Sequence, residues 1–180
     1  KKLAEIAKPH IAIVTNVGNA HIGNFKNSLE IANEKSDIFK YHNKNSFAII
    51  PGDSKYLSLI QKKAKKKTSK VFTFGENKNC YSKFNINNDN KISFTVSKQK
   101  IDLKKKISFK NWEINVSIIL VVLKILKLNL RKFEKNLEEL KPLSGRGEVK
   151  KIKKDKKKFY LVDESYNSSP SALITAIENL

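Results

Sequence analysis

Methionine is absent from the 180 residues, cysteine and tryptophan occur once each, and glycine and proline are scarce at six and four. Each scarcity excludes something. The lone Cys80 cannot form an internal disulfide and has no neighbouring ligand for zinc, which fits a reducing, cytoplasmic setting. None of the few glycines falls in a G-x-x-x-x-G-K-[ST] loop, so a phosphate-binding loop of that type is not encoded here. No secretory signal is visible. The longest apolar run, Val116 to Leu123, stops at Lys124, well short of the roughly 20 residues of a membrane helix. The chain starts at Lys1 and stops at Leu180 within a helical pattern, so we expect a segment of a longer protein.

What is present is lysine. Lys and Arg total 37 against 17 Asp and Glu, a formal charge of +20. Such a balance raises nucleic acid as a partner. Only Arg131 and Arg146 supply the guanidinium forks that base readout favours, however, and no aromatic residues are set among basic ones for single-strand stacking. The excess reads as lysine filling solvated faces, in Lys62 to Lys67 and Lys150 to Lys158 above all. A residual attraction for phosphorylated substrates follows. Hydrophobic residues make up 39%, enough for a packed core.

Periodicity predicts alternating strands and helices. Ile11 to Val17, Ser46 to Ile50 and Lys70 to Phe74 read as strands. Helices follow from Ser28 (as N-cap) to Tyr41, with Leu29, Ala32 and Phe39 inward, and from Asp53 or Ser54 to about Lys66. From Tyr81 to Phe109 the period drops to two, predicting a small antiparallel patch broken by the Asn87–Asn90 turn. Trp112 to Leu128 and Arg131 to Leu140 read as helices, Phe159 to Val162 as a strand, and Pro170 to Leu180 as a helix capped by Ser169. The expected fold is α/β: a mostly parallel sheet with helices on both faces plus the antiparallel patch. Lysine crowding between Gly147 and Asp155 marks an expected domain boundary, giving units 1–148 and 149–180. The apolar stripe Leu173, Ile174, Ile177 and Leu180 calls for further chain to cover it.

Three clusters carry candidate chemistry. Thr15-Asn16-Val17-Gly18-Asn19-Ala20-His21 follows a strand at the edge where α/β sheets bind ligands, although a plain turn with a surface histidine explains it equally well. Lys35 is aligned with Ile31 and Ile38, so its amine is either driven towards neutrality or snorkels to water. Asp163-Glu164-Ser165-Tyr166-Asn167-Ser168-Ser169-Pro170 places a carboxylate, hydroxyls and an amide before a helix N-terminus. Gly145-Arg146-Gly147 adds an arginine in a hinge-like loop, suited to a phosphate or to a surface turn.

Taken in order, these segments resemble the Mur ligase superfamily over essentially the whole chain. Thr15 to His21 is similar to T-N-[IV]-G-x-A-H, and Lys35 in Glu34-Lys35-Ser36-Asp37-Ile38 is similar to the K-G-E-[IL] lysine. Val71-Phe72-Thr73-Phe74-Gly75 is similar to V-x-T-F-G, and Leu143 to Glu148 resembles the loop closing the central domain. Val162 to Ser171 resembles I-D-D-S-Y-N-A-N-P-x-S, which favours the branch that adds D-alanyl-D-alanine. Departures occur too. Trp112-Glu113-Ile114-Asn115 stands where the family has G-x-H-N-x-x-N, with Asn115 alone matching, and Pro51-Gly52-Asp53 replaces N-x-D-D.

The resemblance implies an ATP- and Mg2+-dependent amide-bond ligase of peptidoglycan precursor synthesis. Its expected substrates are UDP-N-acetylmuramoyl-tripeptide and D-alanyl-D-alanine, with neither nucleic acid nor membrane as a partner, in a cytoplasmic monomer. It implies a carbamylated Lys35 and His21 as metal ligands and catalytic groups. Asn115, Arg146 and Asp163 would contact ATP, and Tyr166, Asn167 and Asn16 the substrates. Residues 1–148 would be the C-terminal part of the central ATP-binding domain. Residues 149–180 would be the first strand and helix of a Rossmann-like third domain. A sibling ligase, folylpolyglutamate synthetase or a non-catalytic basic nucleic-acid-binding module remain as alternatives at this point.

Overall fold

A computed structural model describes residues 2–18, 22–87, 91–105, 111–154, 157–166, 173–174 and 177. After a short helix α1 (Lys2–Ala7), the chain alternates β1 (Ile11–Ile13), α2 (Ser28–Ser36), β2 (Phe47–Pro51), α3 (Leu57–Lys65) and β3 (Val71–Gly75). The expected antiparallel patch follows as β4 (Ser82–Ile86), β5 (Lys91–Val96) and β6 (Gln99–Lys104). It is not a separate sheet. β4 pairs parallel to β3 through Phe74–Ser82 and Gly75–Lys83, so one six-stranded sheet runs from β1 to β6 in sequence order. Helices α4 (Trp112–Ile125) and α5 (Glu134–Glu138) come next, and β7 (Glu148–Lys154) pairs with β8 (Lys157–Asp163) in a second, antiparallel sheet.

Strand alternation sorts the core onto two faces. Ala12, Val14, Ala48 and Ile50 meet Ile60 and Ala64 of α3 and Phe39 beyond α2. Ile49 and Phe74 face the other way, against Ile118 and Val121 of α4. The same helix turns Trp112, Val116, Leu120 and Leu123 onto Phe84, Ile92, Phe94 and Leu103 of the antiparallel strands. Helices therefore lie on both faces, as the α/β pattern requires. α4 is apolar almost all round, and its one buried hydroxyl, Ser117, is satisfied by Ser82 Oγ at 2.7 Å.

Several boundaries differ from the sequence reading for local reasons. The α2 cap is Asn27, whose side chain accepts from Glu30 N, while Ser28 is the first helical residue and Leu29 is exposed. α2 ends at Ser36, whose hydroxyl donates back to Ala32 O at 2.6 Å, and a 3-10 turn (Asp37–Tyr41) continues the path. α3 starts only at Leu57, because the Asp53 carboxylate accepts from Glu76 and Asn77 N–H and the Ser54 hydroxyl accepts from Tyr56 N. α4 ends at Ile125 rather than Leu128. Lys127 turns left-handed (φ 57°), and Leu128 N returns to Leu123 O at 2.9 Å. Within the lysine-rich stretch, Glu148–Lys154 forms strand β7, carried by cross-strand pairs such as Val149–Val162 and Ile152–Phe159. In the helix expected from Pro170, Leu173, Ile174 and Ile177 are helical and exposed; its Ser169 cap lies outside the described residues.

Candidate active site

The chain leaves the sheet after Val14, whose N–H still bonds Ile49 O, and the next residues Thr15 and Asn16 stand exposed beyond the carboxyl end of β1. Lys35 reaches this loop from α2. Its Nζ donates to Asn16 O at 2.9 Å and to Asn16 Oδ1 at 3.4 Å. The side chain is half-buried, and burial lowers its pKa below the usual lysine value. Neither hydrogen-bond acceptor is a carboxylate. The next acid along the helix, Asp37, is engaged by Lys40 and by Lys63 at 3.0 Å. Among the described residues the hydrogen bonds of the Lys35 amine go to two neutral oxygens of Asn16. His21 lies outside the described residues.

The neighbouring strand ends are braced. Asp53, directly after β2, accepts from Glu76 N at 2.7 Å and Asn77 N at 3.0 Å, tying the turn after β3 to β2. Gly75 has φ +150°, and a Cβ there would fall on the Asp53 carboxylate. Asp53, read from the sequence as a candidate start of the next helix, instead spends its carboxylate on this clamp.

A second group forms where the β7–β8 hairpin opens. Gly147 N donates to Asp163 O at 2.8 Å and Tyr166 N to Gly145 O at 2.9 Å, so the loop before β7 is stapled to the loop after β8. The Arg146 guanidinium lies 4.5 Å from the centroid of the Tyr166 ring. Asp163 Oδ1 accepts from Ser165 Oγ at 2.6 Å and from Ser165 N at 3.2 Å, which lowers the Asp163 pKa below the usual carboxylate range. Gly145 (φ +73°) admits Tyr166, whose Cβ and backbone N an added Cβ would meet at 3.0 and 3.1 Å. Ser165 and Gly145 are supporting residues that the motif spacing alone does not single out.

The structure therefore brings Asn16 to Lys35, and Arg146 to Asp163 and Tyr166. Among the described residues no hydrogen bond, ion pair or ring contact joins the two groups. Asn115 is exposed in the first turn of α4, apart from both, and the neighbouring Trp112 is buried in the core. Asn167 lies outside the described residues. Among the described residues no three His, Cys, Asp or Glu side chains converge on a metal position.

The α/β sheet has a lysine at its carboxyl edge and is followed by a hairpin flanked by Arg146 and Asp163, and comparison with known proteins gives the class its name. Residues 1–121 match the Mur ligase middle domain, and the chain belongs to the Mur ligase family. Similar proteins include the UDP-N-acetylmuramoyl-tripeptide–D-alanyl-D-alanine ligase of Rickettsia prowazekii, 25% identical over 99% of this chain and 40% of that protein. The enzyme of the same name from Buchnera aphidicola subsp. Acyrthosiphon pisum is 30% identical over 98% of this chain and 39% of its own length. The fold is shared with MurF from Acinetobacter baumannii, with a TM-score of 0.80 at 22% identity over 97% of this chain and 38% of that one. The chain thus spans about 40% of the length of the curated relatives it matches. No helix among the described residues is long and apolar enough to cross a membrane.

Proposed function

We propose that this chain forms part of an ATP-dependent ligase that joins D-alanyl-D-alanine to UDP-N-acetylmuramoyl-tripeptide in the cytoplasm. Residues 1–148 would close the central ATP-binding domain and 149–180 open the third, in a monomeric enzyme. The observation that carries the reading is the Lys35 amine, half-buried, lowered in pKa and hydrogen-bonded, among the described residues, to Asn16 oxygens. The names of the relatives point to the same substrates.

The chemistry has two steps. A carboxylate oxygen of the tripeptide attacks the γ-phosphorus of ATP, and ADP leaves. The amine of the dipeptide then attacks the acyl phosphate, phosphate leaves, and the amide forms with loss of the amine proton. Lys35 as an ammonium does not fit a divalent cation. As a carbamate (N–C bond formed to CO2, proton released) it becomes an anionic oxygen donor beside two hard oxygens of Asn16, a set that magnesium accepts. Magnesium supplies charge neutralisation between triphosphate and carboxylate. His21 would be a second ligand. Arg146 would neutralise phosphate as a rigid fork, Asp163 would accept from the ribose, and Asn115 would lie at the adenine. Tyr166 and Asn167 would flank the dipeptide, with Asn16 at the edge of the substrate, in a site that closes against water.

The test is chemical rescue in the full-length protein. Lys35→Ala should abolish ligation, and short carboxylic acids should restore part of it by replacing the carbamate. An Ala variant with full activity, or one that no carboxylate restores, would remove Lys35 from this role.

A further inference from the structure

We infer that Tyr166 is a positioning residue for Arg146: its ring face holds the guanidinium in the orientation in which it meets the nucleotide phosphates. The inference rests on the phosphate role proposed for Arg146 and extends it to a residue that would otherwise be assigned only to the dipeptide.

Three observations carry it. Arg146 is exposed, and among the described residues no carboxylate lies within ion-pair distance of it; its contact is the Tyr166 ring at 4.5 Å. An arginine side chain without such a platform explores many rotamers, and ordering it at the moment of binding weakens binding. The platform itself is fixed from below: Tyr166 N bonds Gly145 O, and Tyr166 packs so closely on the left-handed Gly145 that an added Cβ would meet it at 3.0 Å. Finally, Gly147 N bonds Asp163 O and Ser165 ties the Asp163 side chain, so Arg146, Asp163 and Tyr166 belong to one stapled junction. The stack uses the ring face and leaves the hydroxyl unassigned, so Phe should serve better than Leu.

The experiment is a double-mutant cycle on the KM for ATP in the full-length protein, with D-alanyl-D-alanine saturating. Arg146→Ala should raise that KM. Tyr166→Leu should raise it about two- to five-fold, the range an exposed cation–π contact supports, and Tyr166→Phe, which keeps the ring face, should raise it less than Leu does. In the Arg146→Ala background Tyr166→Leu should add nothing, because its effect passes through the arginine. An equal effect of Tyr166→Leu in both backgrounds, or a Phe variant as weak as Leu, would overturn the positioning role. A strong Arg146→Ala effect beside a silent Tyr166→Leu would overturn it too, while sparing the phosphate role. A silent Arg146→Ala would overturn both.

Discussion

Asp163 and His42 show how much a single environment sets. Ser165 gives Asp163 two hydrogen bonds, from hydroxyl and backbone, and both favour the carboxylate over the acid. Ser165→Ala should therefore move the Asp163 pKa up towards the ordinary value, read by NMR titration of its side-chain carbon; an unmoved titration would mean that another group holds it down. His42 is 5% exposed, neither ring nitrogen has a hydrogen-bond partner among the described residues, and burial lowers its pKa. A histidine depressed in the folded state leaves stability intact above its unfolded pKa of about 6.5 and erodes it as pH falls towards the folded value, because the unfolded chain takes up the proton first. Thermal melts between about pH 7 and about pH 5 should fall more steeply for the native protein than for His42→Gln. Parallel pH slopes would contradict this.

The elements show which parts of the structure sequence patterns carry. The alternation in Phe84, Phe94, Val96 and Leu103 and the apolar length of α4 were both legible, because burial on one face leaves a periodic trace that survives compositional bias. Strand β7 was not legible: in Glu148–Lys154 the lysines mask alternation, and what makes it a strand is its pairing with β8, which is not local. The site divides in the same way. Asn16, Lys35, Arg146 and Asp163 stood out through their motifs, whereas the Asp53 clamp on Glu76 and Asn77 joins residues over 20 apart. That clamp makes a prediction. Gly75→Ala would force its Cβ onto a carboxylate fixed by two N–H donors, at a φ that L residues rarely adopt. It should lower stability by about 1–3 kcal/mol in denaturant titrations. Asp53→Ala should relieve part of the added cost, and strict additivity of the two changes would show that the carboxylate is not the obstacle.

For the whole molecule the question is what a charge of +20 is for. With two arginines in the chain and the β7–β8 lysines Lys153, Lys154, Lys157 and Lys158 exposed, we expect the charge to act as a general field. Any association with DNA should be weak and vanish between low and physiological salt in a gel shift, without sequence preference. Retention at physiological salt would reopen the nucleic-acid reading. The fold, by contrast, places Lys35 at the carboxyl edge of its sheet and stacks Arg146 on Tyr166 beside Asp163 where the second hairpin opens. The most direct test of the account is a ligation assay on the full-length protein, supplying UDP-N-acetylmuramoyl-tripeptide, ATP and magnesium with D-alanyl-D-alanine or single amino acids in parallel. The account predicts phosphate release and a new amide only with the dipeptide. Turnover with a single amino acid, or none with the dipeptide, would contradict it.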